Sequence, residues 1–106
     1  MSNKNYKADR LSKEEARKRI LKVASEGRIL ISGHALKRML QRNIIQNDII
    51  NVLRSASMRV SEAEPHLSGF TYRCQTVKFA VVVGFTVRGD GVIVVTVFKI
   101  ERQGEL

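Results

Sequence analysis

Two almost continuously apolar runs, residues 79–87 and 92–100, stand four residues apart, and the four between them read Arg88-Gly89-Asp90-Gly91. Runs this rich in valine and isoleucine are about half the length a membrane-spanning helix needs. They fit strands that are covered on both faces or central in a sheet. Asp-Gly between two such runs is a good hairpin signal. The C-terminal half of the chain must therefore be built around an antiparallel pair.

The residues before the pair supply the rest of the sheet and its cover. Phe70 to Thr76 alternates, with Phe70, Tyr72 and Cys74 on one side and Thr71, Arg73 and Gln75 on the other. Met58 to Glu62 reads as a first strand, and Ala63 to Gly69, which holds the only proline, Pro65, reads as a loop. Upstream the period changes to that of helices. Ser12 with Glu15 three residues on is a capping box, Ala16, Ile20, Val23 and Ala24 form a buried stripe, and Gly27 supplies a left-handed stop. Arg28 to Ile31 is a bridge or a single strand. Ser32 caps a second helix over about 33–42, with Ala35, Leu36, Met39 and Leu40 on its apolar arc and Asn43 as the stop. Asn47 caps a third, from Asp48 to about Ala56, that buries Ile49, Ile50, Val52 and Leu53. The expected fold is α+β, with three N-terminal helices packed on one face of a three- to four-stranded antiparallel sheet. Residues 1–10 read as a flexible basic arm, and 11–106 as one domain.

Charge divides the chain in the same place. Through Arg59, fourteen Lys and Arg oppose five acids; from Val60 on, five bases meet five acids, so the whole net charge of +9 lies in the helical half. A basic helical half on a neutral strand-rich half offers positive charge to a polyanion, either a nucleic acid or an acidic protein. One cysteine excludes an intrachain disulfide and suits a reducing compartment. With no apolar leader and no membrane span, a cytoplasmic location is expected. His34, His66, Cys74, Glu62 and Glu64 have no metal-ligand spacing, and no phosphate-cradling glycine loop is present, so no metal or cofactor is expected. Cys74, on the apolar side of its strand, fits packing better than nucleophilic chemistry.

Two constellations can carry chemistry. His34, Arg38 and Arg42 follow at four-residue steps, about 6 Å apart along one helical face. An imidazole that moves protons beside guanidiniums that bind phosphate would suit a phosphodiester. The same residues equally suit a solvated helix face. Arg73, a cation in mid-strand, faces open water or a bound anion, and alternation puts it on the opposite side of the sheet from Tyr72. Around these, the cations Lys37, Arg42, Arg19, Lys22 and Lys99, together with Tyr72 and Thr96, are the residues expected to contact nucleic acid.

His34-Ala35-Leu36-Lys37-Arg38-Met39, Gln41-Arg42-Asn43-Ile44 and Asp48-Ile49-Ile50-Asn51-Val52-Leu53, followed by Tyr72-Arg73 and Gly91 to Phe98, resemble the motifs of a bacterial family, domain of unknown function 4258. Asn43 stands where that family usually has Gly, and both tolerate a left-handed cap. The helices-then-sheet order is in turn similar to RelE-like and BrnT-like toxin ribonucleases. The resemblance implies His34, Arg38, Tyr72, Arg73 and Thr96 as motif positions, with RNA as substrate and an acidic antitoxin-type protein as partner. His34 would then be general acid or base, and Arg38 and Arg73 would neutralise the phosphorane. The alternative is a non-catalytic module that binds nucleic acid or an acidic protein, and a third is an assembly protein that recruits a strand at its sheet edge.

Overall fold

The computed structural model describes residues 9–67 and 69–100. The arm expected at 1–10 falls almost wholly outside them. Their elements are α1 (Lys13–Ser25), β1 (Ile29–Ile31), α2 (Gly33–Arg42), α3 (Gln46–Leu53), β2 (Arg59–Val60), β3 (Glu64–His66), β4 (Gly69–Gln75), β5 (Phe79–Phe85) and β6 (Val92–Lys99).

The sheet runs β1-β6-β5-β4-β2, with β3 also pairing β4. Two expectations are corrected by it. β1 lies between the first two helices and pairs β6 in parallel, Ile29 to Val92 and Ile31 to Val94, so the sheet is mixed and the helices do not all precede it. With β1 and β3 added the sheet has six strands, not three or four. Three residues are too few to show a period, and Pro65 argues against a strand except at an edge, which is where β3 lies.

Local signals at the helix starts act largely as read. The Ser12 hydroxyl accepts from Glu15 N–H at 3.1 Å while the Glu15 carboxylate accepts from Ser12 N–H at 3.0 Å. Those bonds hold the Glu15 carboxyl below the ordinary carboxylate range. The Ser32 hydroxyl accepts from Ala35 N–H, and Asn43 ends α2 at φ 56°, ψ 46°. α3 departs from the reading. It begins two residues early because Asp48 reaches back to Ile45 N–H at 3.0 Å. It stops at Leu53 because the Ser55 hydroxyl takes Ser57 N–H at 3.1 Å, a local bond that competes with the helix. The β5–β6 connection is wider than a two-residue turn. Thr86 N–H bonds the Gly91 carbonyl, Gly89 takes φ 77°, and the Thr86 hydroxyl donates to Asp90 at 2.8 Å.

The core lies between the three helices and one sheet face. Ala16, Ile20, Val23, Ala35, Met39, Ile49, Val52 and Leu53 meet Tyr72, Cys74, Val81, Val83, Phe85, Val92, Val94 and Val97. Leu36 and Leu40, expected beside Ala35 and Met39, are instead 49% and 83% exposed. A helix at the margin of a sheet has a neighbour on one side, so its buried arc is narrow. Cys74 is fully buried, and desolvation pushes its thiol up to about 12. The native protein should therefore not react with Ellman's reagent at pH 8, and should release one equivalent once unfolded in guanidinium; rapid native labelling would show that β4 opens. No helix among the described residues is long and apolar enough to cross a membrane.

Candidate functional site

α2 occupies the stretch of β6 edge that β1 leaves free. Ser32 N–H donates to the Val94 carbonyl at 3.1 Å, its hydroxyl to the Val95 carbonyl at 3.3 Å, and Arg42 Nη1 to the Val97 carbonyl at 2.7 Å. Arg42 is thus a structural clamp as well as a cation. At 100° per residue, Arg42 lies beside Ala35 and Met39, then come Arg38 and His34. The rotation that leads from the core to the sheet edge at Arg42 continues through Arg38 and His34 toward the sheet's other face.

Among the described residues no helix packs on that other face. Its rows follow from the register. One is Arg73–Val82–Thr96, the next is Gln75–Ala80–Phe98, and on the opposite flank lies Gly84–Ile93–Leu30. Arg73 and Thr96 therefore share a row about 10 Å wide, two strand spacings. Arg73 is exposed, and its guanidinium carbon sits 4.8 Å from the centroid of the Phe98 ring. Phe98 belongs to a strand two places away, so cation and ring meet above β5, where Ala80 is small enough to lie fully buried beneath. Arg73 Nε donates to Gln75 Oε1 at 3.0 Å. Among the described residues no hydrogen bond engages its two Nη groups and no carboxylate pairs with Arg38, Arg42 or Arg73.

On α2, Arg38 Nε approaches His34 Nε2 at 3.4 Å and Arg38 Nη1 donates to Gln41 Oε1 at 2.7 Å. In that contact the Arg38 Nε–H donates and the imidazole Nε2 accepts. His34 and Lys37 are exposed and Arg38 is half-buried.

The remaining candidates fall elsewhere. Tyr72 is corrected from a contact residue to a core one: it is 1% exposed, its hydroxyl accepts Leu11 N–H at 2.9 Å, and its ring packs on Phe85. Arg19, with its guanidinium 5.8 Å above the Phe85 ring, and Lys22, paired with Glu26 at 4.0 Å, line a separate groove of about 510 Å³ with Glu15, Arg28 and Asp90. That groove mixes both signs and lies against α1. Lys99 pairs opposite Phe79 and follows the helix-covered side of β6, so it parts from Thr96 and Phe98. Among the described residues no three His, Cys, Asp or Glu side chains gather as a metal site.

Gln75, Phe98 and Gln41 are the site residues that sequence reasoning missed. The signal for Gln75 is its place two residues after Arg73 on the same strand face. Phe98 gives no such signal, because an aromatic inside an apolar run reads as core.

A family model described as Domain of unknown function (DUF4258) matches residues 31–99. No curated protein and no solved structure matches the chain. The matched span holds α2 and the Arg73–Val82–Thr96 and Gln75–Ala80–Phe98 rows while leaving α1 outside. The chain belongs to the DUF4258 family.

Proposed function

We propose that this protein binds single-stranded RNA across the open sheet face and the adjoining side of α2, and cleaves it there. The reading rests above all on Arg73, an oriented guanidinium with no carboxylate partner among the described residues, leaning toward the strand from which α2 hangs. A fork held on one side by Gln75 and from beneath by an aromatic ring presents its outer N–H groups to a phosphate. In the proposed reaction the 2′-oxygen attacks its own phosphorus, the bond to the 5′-oxygen breaks, and the products carry a 2′,3′-cyclic phosphate and a 5′-hydroxyl. His34 would take the 2′-hydroxyl proton or return one to the leaving oxygen, and Arg38 and Arg73 would neutralise the phosphorane. Nothing in that step requires a metal ion. The likeness to RelE-like and BrnT-like toxin ribonucleases is part of this proposal.

The 3.4 Å contact from Arg38 to His34 Nε2 favours a second reading, binding without turnover, because it occupies one of the two proton-transfer positions of the ring. The two are separated by incubating the full chain with single-stranded RNA in EDTA beside an oligonucleotide of the same sequence with 2′-deoxy sugars. The expected result is cleavage of the RNA alone, with cyclic-phosphate ends. Salt-dependent binding with a slope of about −0.7 per phosphate and no cleavage would leave the second reading. Neither binding nor cleavage would remove RNA altogether.

A further inference from the structure

A cavity of about 420 Å³ opens at the end of the sheet where β2 starts and β4 and β6 stop, lined by Ser57, Arg59, Gln75, Thr76, Val77 and Ile100. Arg59 pairs opposite Gln75, so it extends the Gln75–Ala80–Phe98 row by one strand and shares its face. One side chain joins the cavity to Arg73, because Gln75 Oε1 accepts from Arg73 Nε at 3.0 Å. A guanidinium only donates, so the Gln75 amide must turn its oxygen to Arg73, and its nitrogen, with two N–H donors, is the end left over. Arg59 is exposed and has no carboxylate partner among the described residues. Ser57 Oγ already pairs with Ser55 Oγ at 2.9 Å. No Asp or Glu among the described residues lines the cavity. Its polar wall is thus a set of donors from Arg59 and Gln75. Its apolar wall is Ile100 and Val77, the latter 68% exposed in the β4–β5 turn, where glycine or a small polar residue is usual.

We propose that this cavity receives the base of the nucleotide beside the phosphate held on Arg73, and that Arg59 makes it select guanine. The inference rests on the RNA reading and deepens it. Guanine N7 and O6 set two acceptors side by side, which is the match to a guanidinium fork, whereas adenine carries a donor amine beside its N7. Cytosine O2 and N3 are also adjacent acceptors, but guanine adds a second ring for Val77 and Ile100 to cover. Bases of a single strand are unstacked and show these edges freely.

The probes are single-stranded uridine oligonucleotides with one central base varied and with 2′-fluoro sugars, which lack the attacking oxygen. In fluorescence anisotropy with the full chain, the guanine oligonucleotide is expected to bind at least about fivefold tighter than those with adenine, cytosine or uracil, the discrimination of one bidentate pair. Inosine, which keeps N7 and O6 but lacks the exocyclic amine, should match guanine, and the deaza analogue with carbon at the N7 position should lose the advantage. Arg59→Lys keeps the charge without the fork, so guanine should fall to the level of uracil while the all-uridine affinity stays within about twofold. Val77→Ser should weaken the guanine oligonucleotide severalfold at an unchanged melting midpoint. Equal affinity for all four bases would overturn the guanine site and leave the RNA reading standing. A guanine preference that inosine loses, or that Arg59→Lys retains, would put recognition on another edge or another residue and overturn the assignment to this cavity. Should no oligonucleotide bind, one with native ribose included, the RNA reading falls and this inference with it.

Discussion

Replacing Arg73 with alanine should lower single-turnover RNA cleavage by at least about 100-fold, the usual cost of losing one preorganised donor to developing charge, while leaving the fold unchanged. The side chain is exposed, so its removal opens no cavity. The backbone of Arg73 stays paired, its N–H with the Ser61 hydroxyl at 3.0 Å and its carbonyl with Ser61 N–H at 3.0 Å. Arg73→Lys should recover little, because an ammonium offers no fork and does not lie flat on Phe98. An Arg73→Ala protein that cleaves at the parental rate, with an unaltered melting midpoint, would remove Arg73 from the chemistry. A protein that loses activity together with its cooperative melt would show only a structural role.

The largest stability effect is expected from Phe85→Ala, at about 3–5 kcal/mol. Phe85 is 2% exposed, packs on Tyr72 with ring centroids 5.6 Å apart, and carries the Arg19 guanidinium over its ring. Truncation removes an aromatic pair, strips a half-buried cation of its seat, and leaves a hole between α1 and β5. At roughly 4–8 °C per kcal/mol for a domain of this size, the melting midpoint should fall by tens of degrees. Guanidinium unfolding gives the direct measure. A shift in free energy below 1 kcal/mol would mean that α1 collapses onto the gap, and that its attachment to the sheet is looser than these contacts describe.

Much of the scaffold is legible in the residues themselves. Ser12 with Glu15, Ser32 and Asn43 set helix ends through bonds local to a few residues, and local bonds are what a sequence displays. The alternation through Tyr72 and Arg73 likewise assigns their opposite faces, as observed. What escapes is decided by elements distant along the chain. β1 is a strand because β6 has a free edge for it. Leu36 and Leu40 are outside because α2 came to rest at the sheet's margin, and helical period alone cannot tell a margin from a middle. For the same reason the sequence grouped His34, Arg38 and Arg73 as polar chemistry but could not say that Phe98 and Gln75 would orient the arginine. The family motif joins Tyr72 to Arg73, yet one residue along a strand is the other side of a wall.

The junction at Ser32 ties two decisions together. β6 does not keep step along its length: Val83 faces Val94 while Val82 faces Thr96, leaving Val95 as a supernumerary residue. Were the strand regular, Thr96 and Phe98 would join Val92 and Val94 against the helices. The extra residue reverses the odd–even phase, so that one hydroxyl and one ring come out into the open. Because the strand is apolar on both of its sides, this change of phase costs little burial. Ser32 holds the Val94 and Val95 carbonyls at that step, and the same side chain begins α2. A single serine thus fixes both which residues β6 shows and where the histidine-bearing helix starts, so the two halves of the surface are indexed to one another at a common origin.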